Sequence, residues 1–170
     1  MYYTPSFLVN HITEKCLDEY FENSEINFED KFAQLPKIAD LSCGSGSFLA
    51  YAADSLIRRL RALDPTQNWG RELISQKCIV GIDIDKRAVT FAKLQLWLRL
   101  AEEPFPLPLP SLDEVIICGD SLKDETWEGL PKEYQIILGN PPFIPVSGVQ
   151  CESVVENEQI ESDCEFSPTM

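Results

Sequence analysis

The chain has 170 residues, 44% of them hydrophobic and 25% charged, the balance of a single soluble globular domain. Acidic residues outnumber basic ones 28 to 14, for a net charge of −14. A protein that grips nucleic acid by itself shows a basic face, so this composition excludes a strong hold on DNA or RNA by this chain alone.

Six of the acids (Glu152, Glu156, Glu158, Glu161, Asp163, Glu165) follow Phe143, where no Lys or Arg occurs; residues 1–143 are still net −8. With neither a leader-like segment nor an apolar run of about 18 residues, the chain is expected to be neither secreted nor membrane-spanning. The cysteines (Cys16, Cys43, Cys78, Cys118, Cys151, Cys164) form no CxxC pair and only one His is present. They read as reduced thiols of a cytoplasmic protein, with no metal site.

After a Thr4-Pro5 start signal, Phe7, Leu8, Ile12, Cys16, Leu17 and Tyr20 recur at helical spacing, predicting a helix over 6–21. Ile38-Ala39-Asp40-Leu41 reads as a short buried strand. It runs through Ser42-Cys43-Gly44-Ser45-Gly46-Ser47 into a helix that reaches about Leu63. Cys78–Asp83 is a second strand, and Lys86–Ala101 a helix with Val89, Ala92, Leu96 and Leu100 on one face. Leu94, Trp97 and Leu98 widen that face, predicting a deeply buried helix. Pro104, Pro106, Pro108 and Pro110 forbid helix and make a stiff connector. Val115–Cys118 and Tyr134–Leu138 are the third and fourth strands, and residues 144–170 read as an acidic, disordered tail.

Strands that alternate with helices predict an α/β fold with a doubly wound parallel sheet and right-handed crossovers. Ligands of such sheets sit beyond the carboxyl ends of the strands. The unusual residues fall at those ends: Asp40, Asp83, Asp120 and Asn140.

Gly44-Ser45-Gly46 between strand and helix resembles a dinucleotide turn without its third glycine. The helix N-terminus behind it favours a carboxylate or a phosphate. Asp40 beside it repels phosphate and attracts an ammonium or sulfonium. A ligand that carries a carboxylate together with cationic centres fits best, and S-adenosylmethionine is such a ligand. Asp83 is placed to accept from ribose hydroxyls. It lies 37 residues beyond Gly46, against a usual interval of about 20, which implies an insertion around Asp64–Lys77. Asp120 reads either as an acceptor for an adenine amino group or as a turn cap, and Asp83-x-Asp85 as a weak metal alternative.

The tetrad Asn140-Pro141-Pro142-Phe143 closes the apolar run Tyr134–Gly139. Each proline fixes its own φ, lacks an N–H, and forces the preceding residue into extended conformation. Carbonyls and the Asn140 amide are thereby held rigid, as a planar amine needs if it is to give up two hydrogen bonds. The plain alternative is a proline turn after a strand.

Five segments occur in the order Tyr2-Tyr3-Thr4-Pro5, Asp40–Leu49, Gly81–Asp85, Gly119–Leu122 and Asn140–Phe143. In this the chain resembles the N-terminal part of the catalytic domain of adenine-specific DNA methyltransferases of restriction-modification systems. The motif order is that of the gamma-type group, and a leucine, Leu41, stands where the family usually has proline. The resemblance implies a Rossmann-like class I S-adenosylmethionine-dependent methyltransferase fold, here incomplete at about four strands. It implies Tyr3 and Thr4 on the methionine end of the cofactor, Asp40, Gly44 and Gly46 around its amino-acid moiety, Asp83 on the ribose, and Ile84 and Asp120 on the adenine. It makes Asn140, Pro141, Pro142 and Phe143 the catalytic set, with Phe143 stacking on a flipped base. Methyl transfer to the exocyclic amine of adenine in DNA is the implied activity. The family's further strands and DNA-reading region are not found in 144–170. The chain is therefore expected to be a truncated product or N-terminal portion, nearly inactive alone, with DNA contact and target recognition supplied by a C-terminal half or companion subunit. Methylation of protein glutamine or of an RNA amine, and a non-catalytic cofactor-binding remnant, are the alternatives.

Overall fold

The computed structural model describes residues 4–23, 35–101 and 111–142. Tyr3, the proline connector, Phe143 and the acidic tail lie outside these residues. In chain order the elements are α1 (Ser6–Asn23), β1 (Ile38–Asp40), α2 (Ser47–Leu63), α3 (Trp69–Ser75), β2 (Ile79–Asp83), α4 (Lys86–Ala101), β3 (Ile116–Cys118), a 3-10 turn (Asp124–Trp127) and β4 (Ile136–Ile137).

The four strands form one parallel sheet in the order β3-β2-β1-β4. This is the α/β parallel sheet that the alternation of elements predicts, with the four or so strands of the Rossmann-like fold that the resemblance implies. Ile38 stands beside Ile79 and Ile136, and Gly81 beside Asp40 and Ile116. These residues share a sheet face, and α2 covers it: a Cβ at Gly81 would meet the Leu49 side chain at 2.4 Å. Phe48, Leu49, Ala52, Ala53, Leu56 and Leu60 on α2 and Ile38, Ile79 and Ile116 beneath them are all buried. Shape matters here as much as hydrophobicity, because the alanines let α2 approach the strands closely.

The residues between α2 and β2 hold α3, which the sequence reading had only as an insertion. Asn68 caps it by accepting from the Arg71 N–H. Trp69, Leu73 and Ile74 are buried, and the Trp69 indole N–H donates to the Asp64 carbonyl at 2.8 Å.

Two helix faces differ from expectation. On α1 the buried residues are Val9, Thr13 and Leu17, while Phe7 is 70% exposed and Leu8 and Ile12 lie at the surface. The face that turned inward is fixed by polar contacts as well as apolar ones. Glu14 accepts from Ser55 and Arg58 (2.8 Å each) and from Arg59 (2.6 Å), and Asp18 pairs with Arg59, so α1 is clamped to α2. Arg58 and Arg59 thus serve this clamp. On α4, Ala88, Val89, Ala92, Leu96 and Leu100 are buried, but Phe91, Leu94, Trp97 and Leu98 are exposed. The predicted deep burial of α4 is therefore wrong. A helix laid on one side of a sheet buries one stripe, and apolar residues on its remaining surface do not change that.

Among the described residues no helix is long and apolar enough to cross a membrane.

Candidate functional site

β1, β2 and β3 step across the sheet in one direction, and β4 returns to the other side of β1. The order of strands therefore reverses between β1 and β4, where α/β sheets open a crevice at their carboxyl ends. A cavity of about 460 Å³ lies there, within the range of cofactor sites. Its lining comes from the N-terminal segment (Thr4), the β1–α2 turn (Asp40 to Phe48), the end of β2 (Asp83, Ile84, Asp85) and the residues after β4 (Asn140, Pro141, Pro142).

The β1–α2 turn is a left-handed glycine turn. Gly44 has φ +52° and Gly46 φ +86°, values that cost an L-residue with a side chain about 1 kcal/mol or more. The turn is closed by the Gly46 N–H donating to the Cys43 carbonyl at 2.7 Å. The two glycines have different tasks. Beyond Gly44 the space is open, whereas a Cβ on Gly46 would sit 2.8 Å from the Ala92 Cα on α4. Gly46 therefore packs the turn against α4 and is not part of the cavity wall; Gly44, Ser45 and Ser47 are. No side chain caps α2 at Gly46. The first-turn N–H groups of α2, which have no partners within the helix, are left for a ligand.

Three carboxylates face this helix end. Asp83 accepts from the Gly44 N–H at 2.7 Å with Oδ2 and from the Asp85 N–H at 2.9 Å with Oδ1, tying the end of β2 to the glycine turn. Each oxygen keeps a lone pair, so Asp83 can still accept hydroxyls. Asp85 caps α4 by accepting from the Arg87 N–H at 2.8 Å. Among the described residues no group of three or more His, Cys, Asp or Glu is arranged to hold a metal.

Asp40 is 1% exposed and accepts the Ser42 N–H at 3.1 Å. Burial pushes its pKa up to about 7, with the Ser42 bond opposing and the charge of Asp83 adding. The neighbouring Cys43 thiol is held protonated, first by burial and then by Asp40 and Asp83, so it is no nucleophile. Among the described residues no Lys or Arg lines the cavity. Its field is therefore negative at the carboxylates and positive at the start of α2.

At the opposite wall the Asn140 Nδ2 donates to Thr4 Oγ1 at 3.2 Å, a contact across 136 positions of sequence. With its amino group engaged, the amide presents Oδ1 as an acceptor. Pro141 and Pro142 continue the rim.

Of the site residues picked from sequence, the structure gathers Thr4, Asp40, Gly44, Asp83, Ile84, Asn140, Pro141 and Pro142 around this one cavity. Ile84 stands at its mouth, 76% exposed. Asp120 is not part of the lining; its Oδ1 accepts the Leu122 N–H at 3.0 Å, as a turn cap does. Tyr3 and Phe143 fall outside the described residues. Sequence reading missed Ser42, Cys43, Ser45, Ser47, Phe48 and Asp85 in the lining. The first five sit within or just after the glycine motif, so counting the whole turn would have found them. It also missed Gly139, whose Cβ would lie 2.7 Å from Asp40 Oδ1. A glycine inside a strand pattern is itself the signal of such a close approach.

Comparison with known proteins places this geometry. The chain is 28% identical over 180 residues to the type II restriction enzyme and methyltransferase RM.Eco57I of Escherichia coli, an alignment that covers 83% of this chain and 17% of that protein. It is also 28% identical over 142 residues to the type II methyltransferase M.MamI of Microbacterium ammoniaphilum, covering 84% of this chain and 34% of that one. The chain therefore spans about a third or less of the length of these relatives. Residues 77–165, more than half of the chain, match the Eco57I restriction-modification methylase family from β2 through the tetrad and beyond. The chain belongs to the Eco57I restriction-modification methylase family.

Proposed function

We propose that this chain forms the S-adenosylmethionine pocket and the amine-holding tetrad of an adenine-specific DNA methyltransferase with the gamma-type order of motifs. The observation that carries the reading is the single cavity shared by the α2 N-terminus, Asp40, Asp83 and Asn140-Pro141-Pro142. The donor set fits the cofactor group by group. Uncapped N–H groups of α2 suit its carboxylate, Asp40 its ammonium, the spare lone pairs of Asp83 its ribose hydroxyls, and the exposed face of Ile84 its adenine. A dinucleotide fits less well, since among the described lining residues its phosphates would meet three carboxylates and no Lys or Arg. The reach of Thr4 to Asn140 supports a motif order in which the N-terminal segment belongs to the site.

Bound there, S-adenosylmethionine would supply an electrophilic methyl group on a sulfonium. The chain's own residues do the positioning. Asn140 Oδ1 and the Pro141 carbonyl accept the two hydrogens of a planar amine, and a nitrogen so held becomes pyramidal with its lone pair free to attack in line. Pro141 and Pro142, which directly follow Asn140, restrict the backbone that carries these acceptors and keep them from relaxing toward each other. Rigid placement of this kind, with acceptors fixed before reaction, is where the rate gain arises. Phe143 follows directly and is our choice for the residue that stacks on the flipped base. DNA itself is gripped mainly by regions outside this acidic chain, in a C-terminal half or a companion subunit.

Equilibrium binding of labelled S-adenosylmethionine, followed by mass spectrometry of DNA nucleosides, tests the reading. Cofactor binding by the chain is expected, and N6-methyladenine once the C-terminal half or companion subunit is supplied, with transfer falling on the order of 10²–10³-fold in Asn140→Ala while cofactor affinity is kept. Methylated cytosine as the product, or transfer to protein glutamine or RNA in preference to DNA, would refute it.

A further inference from the structure

The cavity holds one contact that joins its two chemical halves. β1 and β4 are neighbours, with Ala39 beside Ile137 and the Leu138 N–H donating to the Ala39 carbonyl at 2.8 Å. Just beyond these paired residues Gly139 lies against the Asp40 side chain. The three atoms nearest to a Cβ built on Gly139 all belong to that one side chain: Oδ1 at 2.7 Å, Cγ at 3.3 Å and Oδ2 at 3.8 Å. Other crowded glycines meet different neighbours: Gly46 meets Ala92, Gly81 meets Leu49, and Gly119 meets the Thr126 side chain. Only at Gly139, among these, is the neighbour a carboxylate of the cavity wall.

We propose that Gly139 is a positioning residue for cofactor binding, the absent side chain forming the slot that the Asp40 carboxylate fills. The proposal rests on the reading of the cavity as an S-adenosylmethionine site. The slot fixes the acid that meets the cofactor's cationic end relative to the strand that carries Asn140, one residue further on. A methyl group at position 139 has no easy relief. Leu138 is buried and its N–H is bonded to β1, so the backbone cannot retreat. Asp40 must move instead, and the oxygen that would be struck is the one that accepts from Ser42.

Gly139 has φ +157°, so alanine also strains the backbone, and a double-mutant cycle separates the two effects. Strain persists when Asp40 is shortened to alanine; the clash with the carboxylate does not. Gly139→Ala is expected to weaken S-adenosylmethionine binding about tenfold or more in the parent, within the coupling seen for touching residues, and less than about twofold in an Asp40→Ala background. Equal losses in both backgrounds overturn the proposal. A second measurement needs no cofactor. The stability of the parent minus that of Asp40→Asn is expected to fall as pH rises from about 4 to 7, because Asp40 ionises in its slot beside Asp83 and Cys43, and that slope is expected to shrink in a Gly139→Ala background. An unchanged slope overturns the proposal. If the parent binds no S-adenosylmethionine, the functional reading fails, and the slope comparison still decides the role of Gly139.

Discussion

Asp40 gives a prediction whose size follows from its surroundings. Its carboxyl has almost no contact with water, one backbone donor, and a second carboxylate close by. Raising an Asp from its ordinary 3.8 to about 7 costs about 4 kcal/mol of folding free energy once the group is ionised. The folded pKa lies above the unfolded one. The favourable contribution is therefore whole below about pH 4 and is lost as pH climbs through 7. Asp40→Asn keeps the shape without the titration. For a chain of this length each kcal/mol shifts Tm by about 2–4 °C. The Tm of Asp40→Asn minus that of the parent should thus rise by roughly 8–16 °C between pH 4 and pH 8, without ligand. Other carboxylates titrate in both proteins and cancel in the difference. A cationic ligand selects the ionised form, so parent affinity for S-adenosylmethionine should rise about tenfold from pH 6 to pH 8, and that of Asp40→Asn should not. Thermal unfolding and calorimetric titration across this range provide the assay. A Tm difference that is flat with pH would show that Asp40 is solvated or partnered in a way this geometry does not have.

The clamp between α1 and α2 is expected to lose about 1–2 kcal/mol in Glu14→Ala, between the values for exposed and buried pairs, read as a lower Tm at pH 7. Burial works against the Glu14 charge, but hydrogen bonds from Ser55, Arg59 and Arg58 outweigh it and hold its pKa below the ordinary carboxylate value. The stabilisation is therefore present above about pH 4.5 and fades as pH falls, so parent and variant should converge in acid; a gap that persists at pH 3 would contradict this. On the same helix Thr13 is 1% exposed and its hydroxyl has no hydrogen-bond partner. Thr13→Val should raise stability by about 1 kcal/mol, or Tm by about 2–4 °C, and a loss in chemical denaturation would show that the hydroxyl is satisfied in solution.

How much of this was legible depended on whether the deciding force was local. The bounds of α2 and α4 could be read directly, because a glycine turn opens one and the Asp85 cap the other, each within a few residues of the helix it starts. α3 carries an equally local signal, Asn68 three residues before Arg71, and was overlooked inside a stretch read as an insertion. The face that α1 buries was not local. Phe7, Leu8 and Ile12 compete with Val9, Thr13 and Leu17, and the choice falls to Ser55, Arg58 and Arg59, more than forty residues away. The carboxyl ends of parallel strands gave Asp40, Asp83 and Asn140 because the topology fixes where strand ends meet. Asp120 obeys the same rule but stands at the end of β3, two strands from the reversal, and its carboxylate is spent on its own turn.

In the proposed site, selectivity rests on the lack of basic side chains among the described lining residues as much as on the acids present. A glycine turn at a helix N-terminus would, by dipole alone, take a phosphate as readily as a carboxylate. Asp83 is bonded to the N–H of Gly44, so the turn that would cradle a phosphate is already occupied by an anion. Asp40 lies buried behind it, where its charge is poorly screened. A ligand bearing two or more negative charges would face both. A zwitterion can set its carboxylate at the start of α2 and its cation at Asp40, and in doing so it relieves the cost of ionising that acid. In the proposed site, selection for a cationic cofactor and the cost of ionising a buried carboxyl are one interaction, and Gly139, between Asp40 and Asn140, is the position we propose to couple them.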